Sequence, residues 1–176
     1  MGRVRNYVVH FLLIISLLLF AGCDLLDDLE GASSTGSSDV TPIHELTETD
    51  NFRSEALEHI LKGEINRNGQ AVGYHYEGLP DAEGEVIKGS ESPTNENGVY
   101  EAKVKVDDTE KESNQGKSTF FPKEWDSQDV VDAINEAYDH RAHTNGNTYE
   151  GLTEEGIVVR MYLDDDQKII SAFPQK

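Results

Sequence analysis

The 176-residue sequence has one cysteine, one tryptophan, five prolines and only 15 Lys/Arg against 34 Asp/Glu. A single thiol cannot build an intramolecular disulfide framework, and it excludes CxxC-type zinc or redox sites. The shortage of positive charge, with a formal net charge of -19, argues against a domain that grips long stretches of nucleic acid by bulk charge. Such binding needs many Lys/Arg contacts to phosphate. It leaves room for an enzyme with a small, locally positive cleft. No GxSxG surrounds Ser118 or Thr119, so a serine hydrolase has no support. No EF-hand pattern is present, and Asp164-Asp165-Asp166 reads as a solvated turn. No internal repeat is visible, and the length suits one domain with appendages.

Long apolar runs are also missing. Residues 8–20 are mostly apolar, but that is short of the roughly 20 residues a membrane-spanning helix needs. Arg3 and Arg5 precede this run and small residues end it, so residues 1–22 read as a secretory signal. Leu19-Phe20-Ala21-Gly22-Cys23 resembles the lipobox of bacterial lipoproteins, with Phe20 in place of the usual aliphatic residue. That resemblance implies cleavage before Cys23, a lipid on Cys23, and residence on the extracytoplasmic face of the cell membrane. Residues 23–48 are expected to be an acidic, flexible tether, because 24–48 carries seven acids and no Lys or Arg and includes a Gly/Ser-rich tract. Residues 49–176 remain as one domain of 27 acids and 13 bases, net -14.

Within that domain the spacing predicts a short helix over 52–62. Ala56, Leu57, Ile60 and Leu61 share one face, His59 points away, and Gly63 is the C-cap. Residues 70–77 alternate as a strand would, with Val72, Tyr74 and Tyr76 on one face and Gly73 and His75 on the other. Residues 78–98 read as loop with one short strand near 85–88, 99–106 as an alternating strand, and 107–116 as a charged turn. Residues 117–121 make a short strand stopped by Pro122. Asp126 as N-cap and Asp129 at N3 open a helix to about 141, with Val130, Val131, Ile134, Ala137 and Tyr138 as its buried stripe. Residues 140–151, with His140 and His143, read as loop, and 157–163 and 168–173 as a hairpin. Tyr74, Tyr76 and Tyr100 are expected in the core. The pattern is α+β: a mostly antiparallel sheet with helices packed on one side.

His10 falls in the signal and His44 in the tether. His59 and His75 stand on the non-core faces of the first helix and the next strand. Two imidazoles on one groove can serve as base and acid in a single reaction. The run His59-Ile60-Leu61-Lys62-Gly63, followed by Gly73-Tyr74-His75, resembles the paired-histidine motif of bacterial EndoU-type ribonuclease domains, which form the C-terminal warheads of polymorphic and contact-dependent toxins. Gly98-Val99-Tyr100-Glu101-Ala102-Lys103-Val104, Lys117-Ser118-Thr119-Phe120-Phe121-Pro122 and Ile170-Ser171-Ala172-Phe173-Pro174 fit in the family's order, so the resemblance covers about 52–176.

The resemblance implies an EndoU/barnase-like fold with His59 and His75 as catalytic histidines. Lys117 matches the family lysine, with Lys103 and Lys105 as rivals. Ser171 and Phe173 match substrate-binding positions. Phe173 stands where distant members carry Tyr, so ring stacking survives and the phenol hydrogen bond does not, unless Tyr162 on the preceding strand supplies it. The implied activity is cleavage of single-stranded RNA, with a preference for uridine, by attack of the 2′-hydroxyl on the adjacent phosphate. No metal is required, and stimulation by Mn2+ stays open. A monomer and an immunity protein as partner also follow from the family. Lys62, Lys103, Lys105, Lys117, Lys123 and Arg160 are the candidates for a positive groove. The alternative is a catalytically inactive EndoU-fold lipoprotein that serves as a binding module. The acidity and the missing Tyr favour it, and the intact His59, His75 and Lys117 oppose it.

Overall fold

The computed structural model describes residues 40–176. The expected signal, Cys23 and most of the expected tether lie outside the described residues. Strand β4 (Tyr100–Val106) shows how the sequence sets the architecture. Its residues alternate between buried and more exposed, with Tyr100, Ala102, Val104 and Val106 inward, the period-two pattern of a strand with one face on a core. It pairs antiparallel with β3 (Gly84–Val86), β5 (Thr109–Glu110) and β6 (Lys117–Phe120). A second antiparallel sheet runs in the order β10-β9-β8-β7, built from β7 (Ala142–Asn145), β8 (Thr148–Leu152), β9 (Val158–Leu163) and β10 (Ile169–Pro174). Helix α1 (Ala56–Leu61) leads into a two-stranded ribbon, β1 (Glu64–Ile65) and β2 (Ala71–Val72), and α2 (Ser127–Asp139) follows β6.

Both helices pack on one face of the second sheet. Ile60, Leu61, Val130, Val131, Ile134 and Ala137 meet Val159, Met161, Leu163 and Ala172 in the larger core. The approach at β8 is close enough that a Cβ on Gly151 would stand 1.8 Å from the Ala137 carbonyl oxygen. A smaller core joins Tyr74, Tyr100, Ala102, Val104 and Phe120 under the first sheet. The fold is therefore α+β, with mostly antiparallel sheet. The capping box at α2 is present: Asp126 and Asp129 each bond the other's backbone N–H. The hairpin of β9 and β10 forms, and Asp164 in its turn accepts from the N–H groups of Asp166 and Lys168.

Three expectations need correction. Residues 40–48 are not free tether. Val40, Ile43 and Leu46 pack on the larger core, and Thr41 donates both its N–H (2.7 Å) and its hydroxyl (2.5 Å) to the Asp126 carboxylate. Residues 70–77 form a strand only at Ala71–Val72. Gly73 and Tyr74 then take positive φ, +73° and +61°, so the alternation breaks and Tyr74 and Tyr76 enter different cores. Finally, the loop expected over 140–151 is the hairpin β7–β8. Its first strand is exposed at every residue, so it carries no apolar alternation.

Candidate active site

A cleft of about 620 Å³ opens between the two sheets. Its floor is the irregular segment at Gly73–His75. The main chain of that segment is stitched to the end of α1, where Tyr74 N–H donates to the His59 carbonyl (3.0 Å) and His75 N–H to that of Ile60 (2.7 Å). This tie requires glycine at 73, since a Cβ there would lie 2.0 Å from the His59 carbonyl oxygen. The same tie fixes His59 and His75 relative to each other, and both rings line the cleft.

His75 is buried, 6% exposed, rather than lying on an open strand face. Its Nδ1 donates to the Thr119 carbonyl on β6 at 2.9 Å, because a carbonyl oxygen only accepts. In the neutral ring the lone pair is then on Nε2. Burial, the nearby Lys111 ammonium and His59 push the ring's pKa well below the usual imidazole range, against the bond to Thr119. His59 is placed differently. Its Nδ1 donates to the Glu64 carboxylate at 2.9 Å, and its Nε2 meets the Ser171 hydroxyl at 3.1 Å. Two distinct surroundings for two imidazoles is the arrangement that separates acid from base.

The opposite wall comes from β9 and β10. A bulge between Ile169 and Ser171 shifts the register of β10. Ile169 and Ala172 reach the larger core, while Ser171 and Phe173 face the cleft beside their cross-strand partners Tyr162 and Arg160. A bulge re-aims side chains in this way. Phe173 stacks on His75, with ring centroids 4.9 Å apart and planes 17° apart, and lies 6.1 Å from Tyr162.

Among the lysines weighed from the sequence, Lys117 lines the cleft and Lys103 and Lys105 do not. Lys117 pairs with Glu101 at 3.3 Å, and Lys105 is held by Glu85 and Asp108. Lys62 pairs with Asp81 and Lys123 with Glu77, both outside the cleft. Arg160 lines the cleft but is bound to Glu150 through Nε and a terminal nitrogen. Two members of the site were not singled out from the sequence. Glu64 sits just past the Gly63 reversal, so a carboxylate five residues after the histidine was the available signal. Lys111 lies in the charged stretch 107–116, where nothing in the pattern marks it. No group of three or more His, Cys, Asp or Glu side chains among the described residues is placed to hold a metal ion.

The comparisons with known proteins fall on this same region. The family model for bacterial EndoU nuclease matches residues 53–176. A curated relative from Bacillus cereus, named a toxin, is 52% identical over 132 residues, 75% of this chain, while the chain spans 24% of that relative's length. No solved structure matches the chain. The family match begins just ahead of α1, runs to residue 176 and takes in every side chain of the cleft: the chain belongs to the bacterial EndoU nuclease family.

Proposed function

We propose that the domain is a metal-independent endoribonuclease that cuts single-stranded RNA, with a preference for uridine, leaving a 2′,3′-cyclic phosphate and a 5′-hydroxyl. One observation carries this reading. Ser171 and Phe173, two residues apart on one face of β10, each engage one of the two imidazoles. Two strand residues span about 7 Å, a separation that lets one phosphodiester lie between the rings.

The chemistry follows from the surroundings. RNA carries its own nucleophile beside the scissile phosphate, and intramolecular attack has a high effective molarity. His75, neutral because of its burial, takes the 2′-hydroxyl proton at Nε2. The 2′-oxygen bonds to phosphorus and the bond from phosphorus to the 5′-oxygen breaks. His59, with Glu64 holding its Nδ1 proton, gives a proton from Nε2 to that leaving oxygen. Lys117 supplies fixed positive charge at the non-bridging oxygens. Phe173 stacks on the base, and the Ser171 hydroxyl and Tyr162 take its polar edge. The printed name of the Bacillus cereus relative supports a toxin role. A lipid on Cys23 would display the domain outside the cell membrane, with an immunity protein as the expected partner. A second reading, an inactive binding module, draws on the pairing of Lys117 and Arg160 with carboxylates in the free protein.

The test is cleavage, by the full chain with chelator present, of a single-stranded RNA holding one uridine. Expected are cuts with the ribose substrate, none with 2′-deoxyuridine at the cut, and losses of about 10²–10⁴-fold in His59→Ala and in His75→Ala. Uncut RNA that still binds favours the binding module. Cleavage unchanged in both variants refutes the assigned roles. A parallel arm with Mn2+ reads any stimulation.

A further inference from the structure

Lys111 is a partly buried cation of the cleft, and the mechanism above gives it no role. It follows β5, and its N–H donates to the Val104 carbonyl on β4 (3.0 Å). Its half-buried side chain reaches the floor of the cleft, where Nζ donates to the Ser118 hydroxyl at 2.9 Å and to the Gly73 carbonyl at 3.2 Å. An ammonium has three donors, so one is left over. Lys117 and Arg160 each hold a carboxylate, but Lys111 forms no ion pair among the described residues. Its charge, set between the floor and β6, is therefore not cancelled by a neighbouring acid.

We propose that Lys111 is a second phosphate-binding lysine of the site, and that its remaining N–H holds a non-bridging oxygen of the substrate's phosphodiester beside His75. This rests on the nuclease reading but not on the choice of base or sugar. The arrangement suits the task because a lysine already seated by two neutral acceptors loses little freedom when an anion arrives. The cost of seating it there is partial desolvation, which pulls its pKa down to about 8. The other ionisable groups lining the cleft are His59 and His75 at the floor, Glu101 and Lys117 on β4 and β6, Tyr162 and Arg160 on β9, and Lys176. The contact thus weakens as Lys111 loses its proton, and a variant comparison separates that change from any belonging to the other seven.

The experiment measures binding of a uridine-containing RNA whose cut position is 2′-deoxy, together with cleavage of the all-ribose version, for the full chain and its Lys111→Met and Lys111→Arg forms. Lys111→Met is expected to bind about tenfold more weakly at pH 6.5 and to lose about 10² in kcat/KM, with no fall in melting temperature. Lys111→Arg is expected to keep binding near the native level. The native protein's affinity should drop through about pH 8, a step that both variants lack. If Lys111→Met binds as the native chain does and keeps the step, the proposal is overturned. A lowered melting temperature with unchanged affinity also overturns it, since that marks Lys111 as a structural tie between Gly73 and β6. If the native chain binds with these differences but cuts no RNA, the RNA-cleaving reading fails while the anion contact stands.

Discussion

His75 is a titratable ring without a carboxylate partner, closed off by Phe173 and Thr119. Its depressed pKa links stability to pH with a definite sign. Between that value and about 6.5 the unfolded chain holds a proton on this ring and the folded chain does not. Stability therefore rises with pH across that window, is complete above it, and is lost as pH falls through it. Denaturant midpoints between pH 5 and 7 should show this slope in the native chain and a smaller one in His75→Gln. An equal slope in the two would place the effect on other groups.

Two short irregularities, one in the floor of the cleft and one in its opposite wall, assemble the site from otherwise ordinary elements. The first is the positive-φ pair Gly73-Tyr74, which ends β2 and drops His75 into the cleft. The second is the β10 bulge that turns Ser171 and Phe173 toward it. Gly73→Ala meets both a backbone clash with the His59 carbonyl and an unfavourable φ. It is expected to cost more than about 1 kcal/mol and to lower cleavage further than the stability loss explains, as read by activity at a temperature where the variant is fully folded. The regular parts of the fold were legible because they repeat. Period-two alternation marked β4, the turn at 164–167 marked the hairpin of β9 and β10, and the Asp126/Asp129 capping box marked the start of α2. The family pattern located His59, His75, Lys117, Ser171 and Phe173 in one site. The irregular parts were not legible. Nothing in 70–77 announces that Tyr74 and Tyr76 separate into two cores. The edge strand Ala142–Asn145 is exposed at every residue, and Asn145-Gly146 is its one hairpin signal. Lys111 owes its role to a tertiary contact 38 residues away at Gly73.

The whole domain is acidic, yet its cleft gathers four cations, Lys111, Lys117, Arg160 and Lys176. Glu101 and Glu150 already hold two of them, so few counterions are released when a strand binds. With about two phosphate contacts, the slope of log affinity against log salt should be near -1.4. A slope steeper than about -4 would show a wide basic footprint that this surface does not have. The segment 40–48 belongs to the same body. Thr41 seats the Asp126 carboxylate, Thr47 and Gln128 bond each other, and Asn135 holds the Glu48 carbonyl. Thr41→Val in the full chain removes a charge-assisted hydroxyl bond and should lower stability by about 1.5–3 kcal/mol, measured by denaturant titration.

The central claim is that the substrate's own 2′-oxygen displaces its 5′-oxygen between His59 and His75. Identifying the end groups of an RNA cut by the full chain, by mass spectrometry before any secondary hydrolysis, tests it most directly. We expect a 2′,3′-cyclic phosphate on one fragment and a 5′-hydroxyl on the other. A 5′-phosphate paired with a free 3′-hydroxyl would show that water attacked instead, and would contradict the mechanism.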